Sequence, residues 1–188
     1  NEAGTVASDK LALTLDGRLE RHGDGWGFSL ASRSGAGQVY AEPVFLDFGV
    51  HAMDASATGA WLDDGRIELT AFAVAHRDVI AAHGTASLAP RTASQVTHLD
   101  VVIDRLIFPG AYASYLQPFL VGTDVKELET AGTVAGRIVV AAGAPRQVDL
   151  EITGLSADNG TGKLALYGLS GDLHWQGGET LPAPRESR

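Results

Sequence analysis

Apolar residues recur at every second position along most of the chain, the pattern of strands that bury one face. Over Lys10–Glu20, Leu11, Leu13, Leu15 and Leu19 fall on one side, with Lys10, Thr14, Asp16, Arg18 and Glu20 on the other. Trp26, Phe28 and Leu30 repeat the pattern after His22-Gly-Asp-Gly25, where Asp24-Gly25 predicts a tight hairpin turn. Further extended runs are predicted at Val39–Phe48, Ala55–Trp61, Arg66–His76, Val79–Leu88, Gln95–Ile107, Thr133–Val140, Gln147–Thr153 and Lys163–Trp175. Pro43 removes a ladder donor and predicts an edge or bulge there. The last run switches face near Gly168, as a bulge allows. Asp63-Asp64-Gly65 and Asn159-Gly160 supply two more turns.

One segment departs from this period. Tyr112, Tyr115, Leu116, Phe119 and Leu120 are spaced as one helix face, with Pro109 at the start and Gly122 at the stop. Pro118 is expected to kink or shorten the helix, and Asp124 with Glu127 predicts a second short turn. The surrounding stretch Leu106–Thr123 is 18 residues without a charge. That meets the lower limit for a membrane span, but Pro109, Gly110, Ser114, Gln117 and Pro118 point to a short soluble helix instead. The expected fold is therefore mainly β. It is a large curved antiparallel sheet of nine or ten strands, half-barrel or sandwich-like, with one short helical insertion. It forms a single domain over 1–180, with 181–188 as a tail or boundary.

Composition narrows the function. The chain of 188 residues is 45% hydrophobic and 7% aromatic, with 14 Lys+Arg against 23 Asp+Glu and a net charge of −9. An acidic chain with three Lys has no electrostatic footprint for nucleic acid or anionic headgroups. The absence of cysteine removes disulfides, thiolate metal sites and cysteine nucleophiles. The chain begins at Asn1 without Met, so a processed or excised segment is expected, with any membrane anchor lying outside it.

Apparent motifs have plainer explanations. His76-Arg77-Asp78 spells a kinase catalytic loop, but the downstream Asn and the phosphate-binding loop are missing, so it is expected to be a strand-to-strand turn. Gly160-Thr-Gly162-Lys163 has the wrong glycine spacing for a P-loop, and Leu164 stands where a metal-ligating hydroxyl is needed. Gly168-Leu-Ser170-Gly171 lacks the closing glycine of a nucleophile elbow, and Asn159-Gly-Thr161 reads as a turn before a sequon. The six histidines follow no metal-ligand spacing; His98 with Asp100, and Asp172 with His174, read as polar-face residues. No catalytic residue, metal or cofactor is expected, and no enzyme.

About nine strands with one apolar face each must dispose of that face by closing, folding over or covering it. A single amphipathic helix covers a few strands at most. If the sheet stays partly open, its aliphatic face suits an apolar occupant, and the candidate positions are Leu11, Leu13, Leu15, Ile67, Leu69, Leu150, Ile152 and Phe119. The same positions serve equally as plain core in a closed sandwich.

Two features resemble the AsmA-like group of Gram-negative envelope proteins. One is the strand phrase Leu11-x-Leu13-x-Leu15-Asp16-Gly17-Arg18-Leu19, echoed by Leu164-x-Leu166-Tyr167-Gly168-Leu169-x-Gly171-Asp172-Leu173. The other is Tyr115-Leu-Gln-Pro-Phe119-Leu-Val-Gly122-Thr followed by Leu128-Glu-Thr-Ala-Gly132-Thr-Val-Ala-Gly136-Arg-Ile138, a short helix feeding a glycine-punctuated strand. The resemblance implies a periplasmic segment of a longer, inner-membrane-anchored protein. Its β-groove would shelter phospholipid acyl chains passing between membranes, without covalent chemistry. The competing expectation is a structural or protein-interaction β module of an exported bacterial protein, and the oligomeric state stays open.

Overall fold

The computed structural model describes residues 6–89, 96–120, 122–123, 125–161 and 163–177. The strands are β1 (Val6–His22), β2 (Gly25–Ala41), β3 (Val44–Asp47), β4 (Met53–Leu62) and β5 (Ile67–His76), then β6 (Ile80–Leu88), β7 (Val96–Phe108), β8 (Glu129–Ala141), β9 (Ala144–Asp158) and β10 (Ala165–Gln176). They form one antiparallel sheet in the order β1-β2-β4-β5-β6-β7-β8-β9-β10, with β3 paired to the far half of β2. The sheet is mainly β architecture carried through by next-neighbour hairpins, and it does not close.

The expected helical insertion lies between β7 and β8, although its geometry differs from a regular helix. Tyr112–Leu116 is a π-helical turn that runs into a 3-10 turn at Gln117–Phe119. Pro118 has no amide proton to continue an α-helical ladder, which accounts for the tightening there. The second turn predicted from Asp124 falls partly outside the described residues.

Three turns locate the strand registers. The first hairpin turns on Gly23-Asp24, one residue earlier than expected, because His22 pairs with Gly25. Gly25 is then a strand residue whose added Cβ would meet the Trp61 carbonyl at 2.7 Å, so the glycine is needed for strand approach and not for the turn. The run predicted over Val39–Phe48 is split: Glu42-Pro43 forms the turn that separates β2 from β3. His76-Arg77-Asp78 is a tight turn closed by Val79 N–H donating to the His76 carbonyl at 3.0 Å.

Bulges bend the sheet where glycines flank them. The β5 irregularity lies beside Gly59 of β4 and Gly84 of β6. A Cβ at either would sit 2.0 Å from a backbone carbonyl, Glu68 for Gly59 and Asp100 for Gly84. The face switch predicted near Gly168 corresponds to register shifts between Leu166 and Gly171 of β10.

Among the described residues the buried core is small, and most of its larger side chains lie at one end, by the insertion. Val79 is 0% exposed, and Ala111, Tyr112, Phe48, Val134 and His76 are buried with it. The Tyr112 hydroxyl donates to the Val125 carbonyl and accepts from Leu128 N–H, tying the insertion down.

Candidate functional site

Cross-strand partners in an antiparallel sheet point to the same side, so the registers define two faces. One row runs Leu15, Ser32, Ala55, Val74, Ala82, Ile103, Gly136, Leu150, Leu173, through nine strands. The next runs from Gly17 and Leu30 through Phe72, Val101, Ile138 and Val148 to Trp175. Leu19, Phe28, Leu69, Leu99 and Val140 belong to a third row, and Trp26, Trp61 and Ile67 to a fourth. Together they make one continuous apolar face.

Among the described residues, this face is covered only at its His76 end, by β3, the turn after it and the insertion. Toward both edges it meets solvent, with Leu15 63% exposed, Leu19 62% and Trp61 58%, while its central strands are half-buried. Leu13, Leu30, Leu173 and Trp175 are exposed as well. Soluble monomers rarely leave an apolar patch above roughly 600 Å² without a use, so the face is the leading candidate for a binding surface.

Six of the eight sequence-predicted positions come together here. Leu13, Leu15, Ile67, Leu69, Leu150 and Ile152 all lie on the apolar face. Leu11 sits in the irregularity between Asp9 and Ala12, next to Lys10 with its φ of +47°. Phe119 is not a sheet residue; it lies exposed on the insertion's 3-10 turn. Leu19 and all three tryptophans (Trp26, Trp61 and Trp175) were outside the predicted set and share the face. The alternation that found the others carried them too.

The opposite face is polar and neatly paired. Arg137 grips Asp100 through two hydrogen bonds, its Nε donating at 2.7 Å, which holds the Asp100 carboxyl below its ordinary range. His83 Nδ1 lies 3.0 Å from Asp104, and His174 Nδ1 lies 2.9 Å from Asp149. Hydrogen bonds from His174 and Gln147 likewise lower the Asp149 carboxyl. A cavity of about 650 Å³ opens on this polar side, lined by Ala31, Ala73 and Ala81 with Asp16, Arg33, Asp54 and His83. Its ion pairs are exposed, and no group of three or more His, Asp or Glu among the described residues is placed to hold a metal.

At the covered end His76 is 2% exposed, with its Nδ1 3.0 Å from the Tyr115 hydroxyl and its Nε2 without a hydrogen-bond partner. The rings of Phe48, His51 and Tyr115 meet it edge-on. Burial pushes the His76 pKa below the usual imidazole value and the Tyr115 pKa above that of a free phenol. The cluster joins β5 to the insertion and fastens the cover. Comparison with protein-family models, with curated proteins and with solved structures finds no match for this chain.

Proposed function

We propose that the chain binds the acyl chains of phospholipid, or a similar apolar ligand, on its open apolar face, and that it does so without catalysis. On this reading it is a periplasmic segment of an AsmA-like envelope protein, anchored to the inner membrane elsewhere in its sequence, that shelters lipid between membranes. The observation that carries the reading is the extent of the face: apolar residues aligned through nine strands, half-buried in the middle and exposed on β1, β2, β4 and β10. Each acyl methylene moved out of water contributes up to about 0.8 kcal/mol, so a chain lying along several strands is held by many small, sequence-tolerant contacts. The reading expects lipids of varied headgroup, since the apolar rows hold no cluster of cations.

Native mass spectrometry after mild purification tests it. Bound phospholipid is expected, and its loss in a Leu15→Asp/Leu19→Asp variant. A protein that carries no lipid and takes none up from mixed vesicles would contradict it.

A second reading is favoured by one observation, that a cavity of about 650 Å³ opens on the polar face. A broad face without a deep cleft also suits a second sheet, packed against it at about 10 Å. The chain is then an interaction module. It predicts a lipid-free protein whose apolar face becomes protected only in a protein complex.

A further inference from the structure

We propose that the β1 edge is self-complementary and joins two copies of this chain into one continuous sheet. Among the described residues β2 is the only strand partner of β1, and β1 is exposed from Val6 to His22. Such an edge presents a row of unpaired N–H and C=O groups. From Ala12 to His22 β1 runs without an extra residue of its own; the shift after Ala12 comes from Gly35 on β2. The opposite edge, β10, is regular only over Gly171–Gln176.

Charge decides the register. A two-fold axis perpendicular to the sheet pairs the edges antiparallel and keeps both apolar faces on one side. Side-chain alternation then allows only registers that set odd residues against odd and even against even. With Gly17 opposite Gly17, Asp16 faces Arg18 of the second copy and Arg18 faces its Asp16. Leu15 and Leu19 pair in the same reciprocal way on the apolar side, and the ladder runs from Ala12 to His22. Moving one allowed step sets Asp16 against Asp16. Moving one step the other way sets Arg18 against Arg18 and Asp16 against Glu20. Both are penalised by like charges directly opposite.

Both key side chains are exposed, and among the described residues neither is tied to another strand. Asp16 has no ion-pair partner among the described residues, and Arg18 reaches only Glu20 of its own strand, at 2.8 Å. The resulting assembly doubles the apolar face. The inference stands on the edge alone and is independent of what that face binds.

Sedimentation equilibrium of the chain and its charge variants tests this. The wild type is expected to dimerise, and Asp16→Arg or Arg18→Asp alone to weaken the dimer roughly tenfold or more, each replacing two attractive pairs by two repulsive ones. An equimolar mixture of the two single variants restores complementary pairs and is expected to dimerise, as is the double variant Asp16→Arg/Arg18→Asp. Circular dichroism confirms that the exposed substitutions leave the sheet intact. A monomeric wild type overturns the proposal. So does a dimer indifferent to the single variants, or one that neither the mixture nor the double variant restores. Lipid binding that persists in monomeric single variants leaves the acyl-chain reading standing whichever way the dimer falls.

Discussion

Nδ1 of His76 lies 3.0 Å from the hydroxyl of Tyr115, joining the end of β5 to the insertion between β7 and β8. The bond forms where the sheet has its only substantial cover among the described residues, and it is the polar fastening of that cover. Stability at this end should therefore respond to the state of the imidazole.

Burial lowers the His76 pKa in the folded chain, so the unfolded chain binds its proton first as pH falls. Stability from this group is fully present above the ordinary imidazole pKa of about 6.5 and declines as pH drops below it. His51 and Tyr115 face the ring, and Arg77 and Asp78 follow it in the turn. Thermal unfolding followed between neutral and mildly acidic pH is expected to show a falling midpoint, with a shallower slope in His76→Gln. An identical slope in that variant would assign the effect to other groups.

Tyr115→Phe removes the one partner of a buried imidazole nitrogen. Leaving a buried polar group unpaired costs about 1–3 kcal/mol, and urea unfolding should show a loss in that range. A neutral effect would mean that water reaches His76.

Val79 and Leu15 should behave oppositely. Val79 is fully buried beneath the insertion, whereas Leu15 is 63% exposed. Val79→Ala is expected to cost about 1.5–3 kcal/mol in transfer and cavity terms, and Leu15→Ala to stay within about 0.5 kcal/mol. Equal losses in chemical denaturation would mean that the Leu15 face is packed in solution.

Gly84 stands against β7 with no room for a side chain. The Cβ of Gly84→Ala would fall 2.0 Å from the Asp100 carbonyl, so the β6–β7 pair must shift. A loss of about 1–3 kcal/mol is expected, as for other overpacked sites. Hydrogen exchange should locate the loosened amides in β6 and β7.

Period-2 alternation made nearly every strand of this sheet legible, because a half-buried strand writes its face into every second residue. It failed where side chains are small. Ser29–Gly37 carries little contrast between its faces, so the continuous seventeen-residue β2 was read as two pieces. Gly23-Asp24-Gly25 holds two glycines, and local residue preference alone did not tell which belongs to the turn; the approach of β4 to Gly25 did. Leu13, Leu15, Leu150 and Ile152 were found on one face because their strands are regular on that stretch. Helix spacing placed Phe119 on one side of the insertion without saying which side meets the sheet, and it lies exposed on the 3-10 turn. The buried His76–Tyr115 pair left no local signal, being made by residues 39 apart.

If the apolar face receives acyl chains, as proposed, the protein carries its own reporters of the event. Its three tryptophans, Trp26, Trp61 and Trp175, all lie on that face. Tryptophan emission should be measured with phospholipid brominated along the acyl chain and with its unbrominated counterpart. Lipid seated on the face predicts a blue shift with both lipids and strong quenching with the brominated one alone. Emission that is the same with either lipid as in buffer would contradict the account.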